Sequence, residues 1–212
     1  TDIVILALDL FGTSVFAVTG AVKAIERRLD FLGVMVLACS VGAGGGMVRD
    51  CLIGATPVAA LKNEIYLLIC IACGAAVFFL YRKISRTQNI IRYADAVGLG
   101  VFTAIGAAKA LEYNLDFTGV VLSGVLTAIG GGVIRDIMVC SIPTVLKSDF
   151  YATASLIGGI IYYLLAKAGI SFFICFLAVL FIVTGLRICA ILYKFRYVFL
   201  CNHLPFYRLW RR

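Results

Sequence analysis

The residues whose types and spacing could do chemistry fall in one stretch and its second copy. Gly44-Gly45-Gly46-Met47-Val48-Arg49-Asp50 and Gly130-Gly131-Gly132-Val133-Ile134-Arg135-Asp136 each place three glycines and then an Arg-Asp pair inside an apolar run. A glycine costs about 1 kcal/mol of helix propensity relative to alanine and adds no side-chain packing. Each triplet is therefore predicted to break a helix. Carbonyls freed from Gly42 to Gly45 and from Ala128 to Gly131 could coordinate a cation, while the amide ends of the following half-helices would favour an anion. The competing use of such glycines is close helix packing, which small residues commonly serve in membranes. Arg49, Asp50, Arg135 and Asp136 lie about one turn beyond the triplets. Ionised groups facing lipid cost a few kcal/mol, so these four are expected to face the interior and pair. Such pairs either pin the helix or act on ions, the carboxylates attracting cations and the arginines setting a barrier or responding to voltage.

Further candidates recur in both copies. Asp9 lies a third of the way into its apolar run and is predicted to line a polar path, whereas Asp95 falls near the start of its run, at the interface. Lys23 and Lys109 end their runs, where snorkelling to the headgroups suffices. Phe16 and Phe102 are matched aromatics that could plug or line a path, with core packing as the plainer role. Pro57 and Pro143 stop the runs that carry the triplets. Eight cysteines lie almost entirely in apolar runs and read as small buried hydrophobes, Cys70-x-x-Cys73 included. The single histidine, His203, makes no metal site alone. No nucleophile elbow, Walker loop or HExxH helix is present, so the chain is not read as an enzyme and no cofactor is expected.

The elements that must position these residues are membrane helices. The 212-residue chain is 63% hydrophobic and 14% charged, with mean hydropathy +1.06, whereas soluble proteins average about 45–50% apolar and about 25% charged. The apolar runs suit the roughly 20 residues that cross about 30 Å of hydrocarbon; barrel strands would be about half as long and would alternate. Thr1 to Thr19 lacks a positive leader and carries Asp2 and Asp9, so it reads as the first span. Seven spans are predicted, from about Ile3 to Val22, Phe31 to Ile53, Ile65 to Leu80, Tyr93 to Leu111, Phe117 to Cys140, Phe150 to Ala166 and Ile170 to Ala190.

A shift of 86 residues superposes the two halves without a gap, with 20 identities over the 49 positions from Asp9 to Pro57. This is a duplication. Residues 1–81 form a first three-helix repeat around a glycine-broken helix at about 31–53, and residues 93–168 a second around one at about 117–140. A basic cytoplasmic linker (82–92) joins them, and a seventh helix (169–193) and a basic aromatic tail (194–212) follow. The tail suits the cytoplasmic lipid surface. Three spans per repeat make the second copy cross in the opposite sense, so the repeats are inverted and their triplets meet near the midplane.

With the N-terminus outside and the C-terminus inside, the cytoplasmic segments collect fourteen Lys and Arg, among them Arg27, Arg28, Lys147 and Arg187. The outer segments collect three, Lys62, Lys109 and Lys167. This asymmetry orients the chain and accounts for its +8 charge without nucleic acid.

The doubled GGGxxRD stretches, each followed seven residues later by proline, in two three-span repeats with a seventh helix, resemble the prokaryotic branch of the trimeric intracellular cation (TRIC) channel family. The likeness runs from Asp9 to the seventh span. It implies a homotrimer in the inner membrane with one water-filled pore per subunit, lined by the two glycine-broken helices and permeable to potassium or sodium ions. The family's kink glycines fall on Gly44, Gly45, Gly46, Gly130, Gly131 and Gly132, and its charged pairs on Arg49, Asp50, Arg135 and Asp136. The same family includes bacterial members described as glycine transporters, so a carrier of glycine or another small amino acid is the rival expectation. On the pore reading, leucine at Gly45 or Gly131 would stop flux in a protein that still folds.

Overall fold

The structure is a computed structural model and describes residues 2–84, 89–147 and 150–193. The tail 194–212, with His203 and Cys201, and the central residues of the basic linker lie outside the described residues. The described residues form α1 (Asp2–Glu26), α2 (Phe31–Leu52), α3 (Ala59–Lys62), α4 (Ile65–Ile84), α5 (Asn89–Glu112), α6 (Phe117–Met138), α7 (Thr144–Lys147), α8 (Ala152–Lys167) and α9 (Phe172–Leu192). Among these, α1, α2, α5, α6 and α9 are long and apolar enough to cross a membrane, and α4 and α8 are shorter apolar helices. The chain is an all-helical membrane protein.

The helix ends repeat with the 86-residue shift. α1 and α5 both end at a glutamate, Glu26 and Glu112, and the chain turns through left-handed residues at Arg28 (φ 58°) and Asn114 (φ 56°). Asp30 and Asp116 then adopt extended backbone at the N-caps of α2 and α6. Only Asp30 makes the side-chain cap, its Oδ1 accepting from the Gly33 amide at 2.7 Å. Past α2 and α6 the left-handed position is glycine in one copy, Gly54 (φ 74°), and Cys140 (φ 52°) in the other.

Both glycine triplets lie inside uninterrupted helix, which corrects the expectation of two broken helices. The reason is one of magnitudes. Each glycine forfeits about 1 kcal/mol of propensity, but each backbone group left unpaired away from water costs several kcal/mol. The hydrogen-bond ladder therefore continues, and the expected free carbonyls are engaged within the helices.

What the triplets supply is contact. A Cβ at Gly45 would collide with the carbonyl oxygen of Thr127, and one at Gly131 would lie 2.6 Å from that of Val41. Val41 and Thr127, like Gly45 and Gly131, are 86 residues apart, so the contact repeats itself with the helices exchanged. Rising numbers on α2 meet falling numbers on α6, so the helices cross antiparallel, backbone on backbone. Similar glycine contacts hold α1 to α2 and α5 to α6: a Cβ at Gly20 would sit 2.8 Å from Leu37 O, and one at Gly106 2.7 Å from Ser123 O. Phe16 and Phe102 fill the centre edge to face, 4.9 Å between centroids, and are 0% and 1% exposed. They are packing residues of the core. Around this four-helix centre, α4 packs on α1 and α2, α8 on α6 and α5, and α9 on α5 and α8.

Candidate functional site

The antiparallel crossing sends the two Arg-Asp pairs to opposite ends of the α2–α6 contact, where each builds a buried ion cluster. In the cluster on α6, Arg135 Nε donates to Asp136 Oδ1 at 3.0 Å, and Nη1 donates to Asp95 Oδ1 at 2.8 Å and to Thr19 Oγ1 at 3.3 Å. Asp136 Oδ2 accepts from both the backbone amide and the hydroxyl of Thr144, each at 2.7 Å, so the carboxylate also caps the short helix α7. The Arg187 guanidinium lies over the Tyr151 ring, 4.8 Å from its centroid. The acids and Arg135 face one another at hydrogen-bond distance, the arrangement that offsets desolvation of buried charge.

The cluster on α2 begins the same way. Arg49 Nε donates to Asp50 Oδ1 at 2.9 Å, and Asp50 Oδ2 accepts from the Ala59 amide at 2.9 Å, capping α3 as its counterpart caps α7. Beyond that it differs. Lys109, from the end of α5, donates to Asp50 Oδ1 at 2.7 Å. Asp9 is not bonded to Arg49; its Oδ2 accepts from the Tyr66 hydroxyl at 2.6 Å. Arg49 is 1% exposed, yet its Nη1 has no hydrogen-bond partner among the described residues. A cavity fills the gap, lined by Asp9, Thr13, Gly42, Gly46, Arg49, Asp50 and Tyr66, with Phe102 at its inner wall.

The motif charges pair within each copy, and Asp9 borders the cavity beside Arg49. Asp95, three residues into the apolar stretch that starts at Arg92, is buried to 5% exposure and accepts from Arg135. Lys109 reaches the motif instead of snorkelling, whereas Lys23 pairs with Glu26 at 3.0 Å. Gly44, Gly45, Gly130, Gly131 and Gly132 lie at the helix crossing or beside the ion clusters, and only Gly46 touches the cavity. Arg187 leaves the cytoplasmic tally because it sits within α9 at 7% exposure.

Tyr66, Thr13, Tyr151 and Thr144 border these clusters and are absent from the sequence reading, and Arg187 entered it only as a cytoplasmic charge. Arg187 had a signal, since a charge inside a span is functional or paired by default. Tyr66 had none, standing 57 residues from the acid it holds.

The glycine transporter family model matches residues 6–82 and 92–167. A UPF0126 membrane protein of Vibrio cholerae is 45% identical over 154 residues, 72% of this chain and 64% of that protein, so the chain spans less than two thirds of this relative's length. The UPF0126 inner membrane protein YadS of Escherichia coli is 38% identical over 73% of this chain and 75% of its own length. Among solved structures, a TRIC trimeric intracellular cation channel orthologue from Rhodobacter sphaeroides superposes with TM-score 0.87 at 30% identity, covering 91% of this chain and 99% of that one. A TRIC cation channel solved to explain conductance superposes with TM-score 0.82 at 35% identity, over 89% of this chain and 93% of its own. The chain belongs to the glycine transporter family of membrane proteins and has the fold of the prokaryotic TRIC channels.

Proposed function

We propose that the chain is a monovalent cation channel permeable to potassium, working as a homotrimer with one pore per subunit alongside α2 and α6. The observation that carries this reading is the likeness in fold and sequence, over about nine-tenths of the chain, to TRIC cation channels. The charge pattern supports it: ionised groups stand at both ends of the α2–α6 contact, and the glycine crossing between them is the constriction that must part for ions to pass. Parting the helices would uncover the carbonyls of Val41 and Thr127, the oxygen ligands that replace an ion's hydration.

In this reading α1, α2, α4 and α5, α6, α8 are two inverted three-helix repeats and α9 is the seventh span. The N-terminus is outside the inner membrane and the C-terminus in the cytoplasm. Potassium or sodium ions are the permeant species, lipids and further copies of the chain are the partners, and neither cofactor nor nucleic acid takes part.

A second reading, a carrier for glycine or another small amino acid, is favoured by the family's description and by a polar cavity on one side of a sealed crossing. Flux into proteoliposomes separates the two. Rapid potassium equilibration without glycine accumulation is expected; saturable glycine uptake with no potassium permeability would overturn the channel reading.

A further inference from the structure

The ion clusters at the two ends of the α2–α6 crossing differ in how tightly they close around their glycine. On α6, a Cβ added at Gly132 would lie 2.9 Å from Tyr151 Oη and 3.9 Å from Asp95 Oδ1. On α2, a Cβ at the matching Gly46 would meet Arg49 Nη2 at 3.6 Å, and neither Tyr66 nor Asp9 comes within 4 Å of it. The hydrogen bonds differ accordingly. Arg135 Nη1 donates to Asp95 Oδ1 and to Thr19 Oγ1. The same atom of Arg49 is buried and has no partner among the described residues. Neither matching acceptor serves it. Asp9 accepts from Tyr66 through Oδ2, while its Oδ1 makes no hydrogen bond among the described residues. The position 86 residues after Thr19 is Ile105, whose side chain has no acceptor.

The two atoms that lack partners, Arg49 Nη1 and Asp9 Oδ1, are thus the pair that is bonded directly in the other cluster. Both residues line one cavity, which has room for about one water molecule. A buried donor left unmet is costlier than the bond it could make, so Arg49 calls for an acceptor. A cation in this space would stand against the Arg49 guanidinium, and an anion against the Asp9 carboxylate. A neutral molecule that accepts from the one and donates to the other suits both walls. At this size that molecule is water, with Thr13 in the wall as a further polar group.

From this geometry we infer that a single water molecule bridges Arg49 Nη1 and Asp9 Oδ1, in place of the direct Arg135–Asp95 bond of the other cluster, and that the α2 end of the crossing is therefore the first to loosen. A bridged pair separates by taking up further water, whereas the direct pair must give up a charge-assisted bond in a dry site. Neither property depends on which solute the chain passes.

Two measurements on the purified full-length protein in nanodiscs test it. In hydroxyl-radical footprinting with pulsed X-rays, radicals formed from a bound water label the side chains beside it. Tyr66 and Tyr151 are both buried, at 6% and 1% exposure, and Tyr66 is expected to be oxidised several-fold faster. Gly46→Ala adds a methyl group to the cavity wall without a clash and is expected to bring the Tyr66 rate down toward that of Tyr151. In amide hydrogen exchange, residues 46–50 are expected to exchange several-fold faster than residues 132–136. Equal labelling of the two tyrosines, an unchanged Tyr66 rate in a folded Gly46→Ala protein, or exchange at 132–136 as fast as at 46–50 would overturn the proposal. The comparisons between the two clusters use the unaltered protein, so they decide the matter even where the variant fails to fold.

Discussion

Three donors converge on the Asp50 carboxylate, buried to 1% exposure, from Arg49, Lys109 and the Ala59 amide. Replacing Asp50 with asparagine strands two cations against a neutral amide, and about 3–5 kcal/mol of stability should be lost. Lys109, whose side chain is 22% exposed, is the cheaper partner, and Lys109→Met should cost about 1 kcal/mol or less. Equilibrium unfolding in mixed micelles ranks the two, and a Lys109→Met loss as large as that of Asp50→Asn would contradict the assignment. The glycines admit a similar contrast. Gly45→Ala forces a methyl group onto a backbone carbonyl and should cost about 1–3 kcal/mol. Gly185→Ala meets nothing within 4 Å in α9 and should stabilise by up to about 1 kcal/mol. Leucine at Gly45 or Gly131 would thus separate α2 from α6 before it reported on any pore, which withdraws that substitution as a simple flux test. Within each Arg-Asp pair the partnership was legible, because adjacent opposite charges in an apolar run have few other solutions. Asp9 was recognisable as a lining residue, but Tyr66 as its holder was not, because no local pattern links residues on different helices.

At the level of helices, the apolar spans were visible as matched runs in the two copies, whereas the capping aspartates and the turns emerged only in the structure. The continuity of α2 and α6 was not visible, because propensity favours a break and only the absence of water reverses the balance. The caps give a prediction that the duplication alone would miss. Asp30 bonds the Gly33 amide and Asp116 makes no such bond. Asp30→Ala should therefore cost about 1 kcal/mol, and Asp116→Ala much less. Unfolding midpoints that fall equally in both would show that the two caps act alike. The short helices α3 and α7 depend on the carboxylates of the preceding long helices, Asp50 and Asp136. Each motif aspartate thereby ties an ion cluster to the chain reversal beside it.

For the molecule as a whole, the two glycine triplets meet at the centre as the duplication led one to expect, though in unbroken helices. The Gly45–Thr127 contact becomes the Gly131–Val41 contact under the 86-residue shift, and Phe16 meets its own counterpart, Phe102. The departures from that symmetry came from residues outside the motif, chiefly the different partners of Lys23 and Lys109, so the motif could not announce them. A sealed centre flanked by ionised clusters suits a path that opens by separating two helices. The most direct measurement of that account is planar-bilayer recording of the purified full-length protein in a potassium chloride gradient. Unitary currents that reverse near the potassium equilibrium potential are the expected result. A silent bilayer, from protein that accumulates glycine in liposomes, would contradict it.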